Sequence, residues 1–447
     1  MNPGWIKRCA GWLLPVGSLP SGRLGVDASR ALQLAADAGL RVWQVLPIGP
    51  PARHGNPFEP ASAFAGDLRL LPVDAPARPQ GWTDFAKANA DWLDDWALFT
   101  ALKQEHDGAP WWEWREALRR RDKAALTAAR LRLRAAIEAE MAAQYAFEAA
   151  WSAFHAAARA KGIRIFGDVP LFVSHDSADV WAHSELFEVD ADGRCEATVG
   201  VPPDAFAETG QMWNLPPYRW EAMAREGFRW WRRRFEVQAR RFDLVRLDHF
   251  RGLAAWWRVP AGAATAIEGA WTPGPGAAAV ECLKPVLHGT QLVAEDLGVI
   301  TADVIALRRK LGIPGMRVLQ FAFDGKATNE HLPVHHGADT VCYTATHDND
   351  TTLGWWEKLE RSDRRLVLRE LGLERADMPH TLTAVAWDSP APLAIVPLQD
   401  LLGLGSEARL NRPGVAEGNW AWRFKWSQVG REFPFNLHAE LKRARRA

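Results

Sequence analysis

The stretch FDLVRLDHFRG, Phe242 to Gly252, sets an aspartate at the end of an apolar run, with an arginine two positions before it and a histidine directly after. On an extended chain, residues two apart face the same side. Arg246, Asp248 and Phe250 are therefore expected to share one face while the strand lasts. An arginine beside a carboxylate favours its ionised form, which suits a nucleophile or an electrostatic stabiliser and not a proton donor. A second acid, Glu295, closes the run QLVAEDL with no arginine next to it in sequence. A glutamate partly withdrawn from water is harder to ionise and can act as a general acid. Its neighbour Asp296 is expected to point elsewhere. Asp348 follows His347 at the end of DTVCYTATHD, and Asp168 closes the run RIFGDV.

Retaining glycoside cleavage needs two carboxyls with opposite tasks. One attacks the sugar carbon as an anion and the other protonates the departing oxygen, at a separation of about 5–5.5 Å. Taken singly, RLD reads as an ion pair and AEDLG carries no message. Four acids that each end a strand-like run, in this order, point to one reaction centre. Histidines and aspartates at such positions also serve metal-dependent hydrolysis. Here no HxH lies on an early run, no HExxH occurs, and His249 and His347 each abut an acid. Neither a metal nor another cofactor is expected.

These residues must be carried by a scaffold. Eight apolar runs are legible: Gly11–Gly17, Arg41–Pro47, Arg164–Val173, Asp243–Phe250, Gln291–Leu297, Met316–Phe323, Asp339–Asp348 and Leu393–Leu402. Near-continuous apolar runs are typical of strands buried on both faces of a parallel sheet. Helical patterns separate them, as in Asp27–Leu40 with an aspartate cap, Thr301–Gly312 with a threonine cap, and Arg361–Gly372. The alternation predicts an α/β fold, a (β/α)8 TIM barrel, as one catalytic domain over 1–447. Residues 82–160 read as a helical insertion between strands two and three. Residues 174–241 read as an insertion carrying a substrate loop between strands three and four.

Lys and Arg total 54 and Asp and Glu total 54, so the chain lacks the basic excess of a nucleic-acid binder. The four cysteines show no CxxC spacing, which fits a reducing compartment, hence the cytoplasm. The opening MNPGWIKRCAGWLLPVGSLP is broken by tryptophans and Pro15 and is not read as a signal peptide. No run of about 18 apolar residues predicts a membrane span. The 24 tryptophans are mostly packing residues, although an indole can also stack on a sugar face.

Several long motifs carry a resemblance: WQVLPIGP, GDVPLFV, GVPPD, ETGQMW, VRLDHFRG, LVAEDLGVIT, YTATHDNDTTLGWW, LQDLLGLGSEARLNRPG and GNWAWR. Over nearly its whole length the chain resembles the amylomaltases, or 4-α-glucanotransferases, of glycoside hydrolase family 77. The resemblance implies a barrel with inserted subdomains and no separate C-terminal sandwich. It also implies transfer of an α-1,4-glucan segment from a maltooligosaccharide or starch donor to the 4-hydroxyl of a glucose or glucan acceptor. Within it, Asp248 matches the nucleophile, Glu295 the general acid/base and Asp348 the transition-state stabiliser. Arg246 and His347 match residues holding the nucleophile and donor sugar; Asp204, Gln211, Trp213 and Asn411 match positions lining the glucan groove. Phe58 in NPFE stands where the family usually has the tyrosine of SPYQ, which keeps a stacking ring and loses a hydroxyl; Asp168 is counted with the substrate-binding residues. Leu215 in WNLPPY replaces an amide, Ala205 replaces a common aromatic, and the early segment is shortened to PVGSLPSGRLG. These departures bear on acceptor and chain-length preference. An α-glucan hydrolase sharing the covalent intermediate, and a non-catalytic glucan-binding protein, are the alternative readings. The expected assembly is a monomer or weak homodimer.

Overall fold

The computed structural model describes residues 5–447 apart from 53, 204–206 and 416. Each of the eight apolar runs meets one strand of an all-parallel eight-stranded sheet. The strands are β1 (Cys9–Leu13), β2 (Val42–Gln44), β3 (Arg164–Val169), β4 (Leu244–Leu247), β5 (Gln291–Ala294), β6 (Gly315–Val318), β7 (Thr340–Tyr343) and β8 (Leu393–Pro397). Their order is β6-β7-β8-β1-β2-β3-β4-β5, so every strand except β5 pairs with the next in sequence, and β8 pairs with β1. With helices between the strands, this is the (β/α)8 barrel.

The seam between β5 and β6 is closed in a different way. Ala294 N–H reaches Pro314 O at 2.8 Å, and the side chain of Asp296 fills the place of the missing ladder. Asp296 Oδ1 accepts the Met316 N–H at 2.7 Å, and Oδ2 pairs with Arg308 at 3.2 Å and Arg317 at 3.3 Å. Gly315 is required beside it, because a Cβ there would lie 2.3 Å from Asp296 Oδ2. Asp296 thus turns away from Glu295, as expected.

The helix stops are set by glycine. Ala302–Leu311 ends on Gly312 at φ 66° and Arg361–Leu371 ends on Gly372 at φ 67°, both left-handed. The caps depart from expectation. Val26–Asp37 begins after Gly25, and Asp27, already inside the helix, instead accepts the Ser21 N–H at 2.8 Å and Trp426 Nε1 at 2.7 Å. Thr301 stands at the N-cap, but its hydroxyl makes no capping bond.

Within residues 82–160 lie the helices Trp82–Ala88, Ala90–Glu105, Glu116–Arg119, Lys123–Arg132 and Arg134–Ala160. The last of these packs directly on the barrel. Phe154 meets Trp43 of β2 edge-on at 5.3 Å, and His155 Nε2 bonds Asp243 Oδ2 at 2.8 Å just before β4. A separate antiparallel sheet joins Gln211–Met212, Ala197–Val201, Ala255–Pro260 and Ala270–Pro273, in that order. Its first two strands precede β4 and its last two follow it, so this sheet straddles the strand that carries Arg246. Among the described residues no helix is long and apolar enough to cross a membrane.

Removing one partner of a buried ion pair strands the other charge, at about 3–5 kcal/mol. Arg308 keeps Asp339 at 3.0 Å, so Asp296→Ala is expected to cost the lower end of that range, about 3 kcal/mol. A urea midpoint unchanged from the parent would show that the seam does not depend on this carboxylate.

Candidate active site

Alternation along the strands sorts inward from outward residues. Ile165, Val245, Leu247, Leu292 and Ala294 belong to the layer between sheet and helices, whereas Phe166, Leu244, Val293, Val341, Tyr343 and Ile395 pack inside the barrel. By the same period of two, Gln44, Asp168, Arg246 and Glu295 also face inward at the C-terminal strand ends. The barrel interior is therefore apolar at one end and polar at the other.

Register makes the central contact. Asp168 of β3 and Arg246 of β4 are directly opposed in the ladder. Arg246 Nη1 donates to both Asp168 oxygens at 2.8 Å, and Nη2 pairs with Asp248 Oδ1 at 2.9 Å. Burial alone would lower the guanidinium pKa, but Asp168, Asp248 and Glu295 outweigh it and hold the group above its ordinary value. Burial pushes Asp168 up to about 6 against the pull of Arg246, which leaves the pair ionised at neutral pH.

The extended backbone ends sooner than expected. β4 stops at Leu247, Asp248 N–H still reaches Val169 O at 3.0 Å, and His249 turns into the left-handed region at φ 50°. Phe250 therefore does not share a face with Arg246 and Asp248; it opens the 3-10 turn Phe250–Leu253. The reversal has a use. It aims His249 N–H at Glu295 Oε2, 2.9 Å away, while Leu297 N–H donates to Oε1 at 2.8 Å. Glu295 is thus clamped against the residue that follows Asp248. Burial pushes its carboxyl up to about 7; Arg246 opposes this and the Asp248 charge adds to it. The His249 imidazole does not join the acids. It meets Trp213 edge-on at 4.8 Å, and burial, aided by Arg251, lowers it to about 3, so it is neutral.

Asp348 lies beyond β7. Its Oδ2 is 3.3 Å from His347 Nε2 and its Oδ1 accepts Asn411 Nδ2 at 2.6 Å. Burial would raise this carboxyl, yet His347, Asn411 and Arg246 together hold it well below the usual range. Burial would likewise lower His347, and Asp348 overrides it, raising the imidazole. Phe58 stacks on His347 at 4.7 Å and 17°, and the Arg246 guanidinium lies 5.9 Å from the Phe58 ring centre. A local turn presents that ring: Asn56 Oδ1 accepts the Phe58 N–H at 3.0 Å, and Asn56 Nδ2 donates to Glu59 at 3.0 Å.

Asp168, Arg246, Asp248, Glu295, His347, Asp348, Phe58 and Asn411 thus form one connected group. Gln211 and Trp213 bond each other at 3.2 Å on the straddling sheet and reach the group through His249. Asp204 and Ala205 lie outside the described residues. Two residues not singled out from sequence also belong here. Trp420, from GNWAWR, sits 5.9 Å from both Phe58 and His347. Gln44 accepts the Tyr343 hydroxyl at 2.9 Å beneath the acids. A polar residue closing the apolar strand β2 is the same signal that marked Asp168, and it would have found Gln44.

The cluster has an acid paired with arginine, a protonatable acid held by two N–H groups, and a third acid held by histidine and an amide. Around them stand aromatic rings suited to a sugar face. Such a set can attack a sugar carbon, protonate a glycosidic oxygen and stabilise positive charge on the ring.

Comparison with known proteins agrees. The family described as 4-alpha-glucanotransferase, glycoside hydrolase family 77, matches residues 14–82 and 74–428. A 4-alpha-glucanotransferase of Thermus thermophilus is 41% identical over 490 residues, covering 97% of this chain and 98% of the relative. One from Synechocystis is 39% identical, covering 95% of each. The chloroplastic/amyloplastic 4-alpha-glucanotransferase of Solanum tuberosum is 37% identical, with 98% of this chain and 85% of the relative covered. Among solved structures, an amylomaltase from Streptococcus agalactiae in complex with acarbose superimposes with a TM-score of 0.94 at 27% identity, over 99% of this chain and 100% of the other. Motif, register and relatives agree: the chain belongs to the 4-alpha-glucanotransferases of glycoside hydrolase family 77.

Proposed function

We propose that the protein cleaves an α-1,4-glucosidic bond in a maltooligosaccharide or starch chain and passes the freed segment to the 4-hydroxyl of a glucose or glucan acceptor, with retention. The observation that carries this reading is the pairing of Asp248, whose Oδ1 is held by Arg246, with Glu295, raised to about 7 and clamped by His249 N–H. In the first step Asp248 Oδ2 attacks the anomeric carbon as the glycosidic bond breaks. Its electron pair leaves with the departing oxygen, which takes the Glu295 proton. In the second step Glu295, now a carboxylate, removes the proton of the acceptor hydroxyl, whose oxygen displaces Asp248. Asp348, kept anionic by His347 and Asn411, stabilises the ring cation between the two. Phe58 and Trp420 flank the sugar, while Gln211 and Trp213 support its onward course. Asp204 is assigned to the groove by resemblance alone. The four free cysteines support a reducing compartment, the cytoplasm, and the protein is taken as a monomer or weak homodimer.

Maltotriose tests the reading. A transferase yields glucose plus longer chains with no net gain of reducing ends, whereas a steady gain would establish a hydrolase. Glu295→Gln is expected to slow turnover by about 10²–10⁴-fold, the worth of a positioned proton donor. Asp248→Asn is expected to abolish the covalent intermediate while the protein stays folded and still binds glucan.

The raised Glu295 pKa fixes a pH dependence. The acid must be protonated for the first step, so kcat/KM should fall as pH rises through about 7. The stability sign follows from linkage. The folded value lies above the ordinary 4.5, so the proton favours the folded state below that value and this contribution is lost as pH rises through 7. Glu295→Gln cannot ionise, so its Tm relative to the parent should climb between pH 5 and pH 8. A constant Tm difference across that span would contradict the assignment.

A further inference from the structure

A cavity of about 530 Å³ lies apart from the acids, lined by Trp112, Glu113, Arg119, His175, Asp192, Arg194 and Cys195. It falls within the roughly 300–1,000 Å³ of small-molecule sites. Its wall is built on the connection that leaves the reaction centre, since His175 follows Asp168 of β3 by seven positions. Asp192 and Arg194 come just before Ala197–Val201, the strand paired with Gln211–Met212.

Its aromatic floor is rigid. Trp112 lies parallel on His175 at 3.8 Å and 4°. His175 Nε2 bonds Gly193 O at 2.7 Å, and its own carbonyl accepts Trp111 Nε1 at 2.8 Å. Gly193 adopts φ 76°, and a Cβ there would meet the Trp111 ring at 2.4 Å. Asp190 fastens the turn by accepting the Asp192 N–H at 2.8 Å and the Arg194 N–H at 2.9 Å. Two acids and two guanidinium groups also line the cavity, and Asp192 is bridged to Arg119 at 2.8 Å and Arg120 at 3.2 Å.

The charge balance selects the ligand chemistry. An anion site would show an excess of arginine and a cation site an excess of carboxylate; here the two offset each other. A half-buried indole lined by two acids and two arginines, of which Arg119 and Asp192 are held to each other, matches a neutral, hydroxyl-rich ring with an apolar face. Cys195 is part of the wall and no nucleophile, because burial pushes its thiol up to about 12.

We infer that this cavity is a second binding site for the α-glucan chain, with Trp112 as its sugar platform and Glu113, Arg119, Asp192 and Arg194 as its hydroxyl-binding rim. The inference rests on the transferase reading for its ligand. A site away from the acids engages a long chain and leaves a trisaccharide alone. Polymer binding then gains from two attachments on one molecule.

The test compares the parent, Trp112→Ala and Arg194→Ala on amylose and on maltotriose. Loss of one aromatic platform should raise KM for amylose by about two- to tenfold, with kcat unchanged and both maltotriose parameters unchanged. Retardation in native gels containing amylose should weaken in the same two variants. Arg194 is exposed, so its variant keeps the test valid if Trp112→Ala does not fold. Unchanged amylose KM and retardation in a folded variant overturn the inference, as does a maltotriose KM that rises as much as the amylose KM. If the parent leaves maltotriose untouched, the transferase reading fails, and amylose retardation of parent against variant still decides the cavity.

Discussion

A guanidinium sealed inside a barrel is the constraint around which the centre is arranged. Arg246 occupies an inward strand position where its neighbours place Leu244 and Val293. A charge withdrawn from water there is tolerable only if carboxylates surround it. Two do, at 2.8 and 2.9 Å, one from the adjacent strand and one just past the end of its own. The arginine in turn fixes Asp248: with Oδ1 engaged, the carboxylate has one orientation and one oxygen left for chemistry. The strand pairing Asp168↔Arg246 is thus also a piece of the reaction centre.

The acids do different work because their partners differ in kind. Asp248 faces a full positive charge. Glu295 is buried, and although Arg246 and two backbone N–H groups favour its anion, burial and the neighbouring Asp248 charge outweigh them, so its proton is retained near neutrality. Asp348 faces His347 and Asn411 and stays charged. Separating the tasks of chemically similar acids through their surroundings is the general route to acid–base chemistry at one pH. The left-handed turn at His249 links the first two: it directly follows Asp248 and directs its N–H at Glu295. The histidine acts through its backbone, and its neutral ring braces Trp213.

A cluster of three rings forms the other wall. Phe58, His347 and Trp420 meet within 4.7–5.9 Å of one another, and the imidazole of this trio is the one that holds Asp348. The aromatic surface and Asp348 are therefore positioned by one contact group. The ring of Phe58, without a phenol hydroxyl, can supply shape and stacking here and no hydrogen bond.

The sequence by itself determined the eight strands and their order, because doubly buried strands must be continuous apolar runs. It also marked Asp168, Asp248, Glu295 and Asp348 as candidates, because an acid closing such a run stands where packing alone calls for an apolar residue. Glycine stops at Gly312 and Gly372 were equally readable, since backbone with positive φ admits few other residues. Caps were not: Asp27 offered a carboxylate to a helix start, and the fold gave it Ser21 and Trp426, the latter far away in sequence. Phe250 leaving the face of Asp248 was hidden for a similar reason, since the turn at His249 is bound to Glu295 on another strand. Tertiary structure alone decided that Asp296, turned away from Glu295, closes the barrel seam, and that Trp420 joins Phe58 and His347. Those outcomes depend on the meeting of segments up to hundreds of residues apart, and local pattern carries no information about which distant partner will satisfy a buried charge or ring.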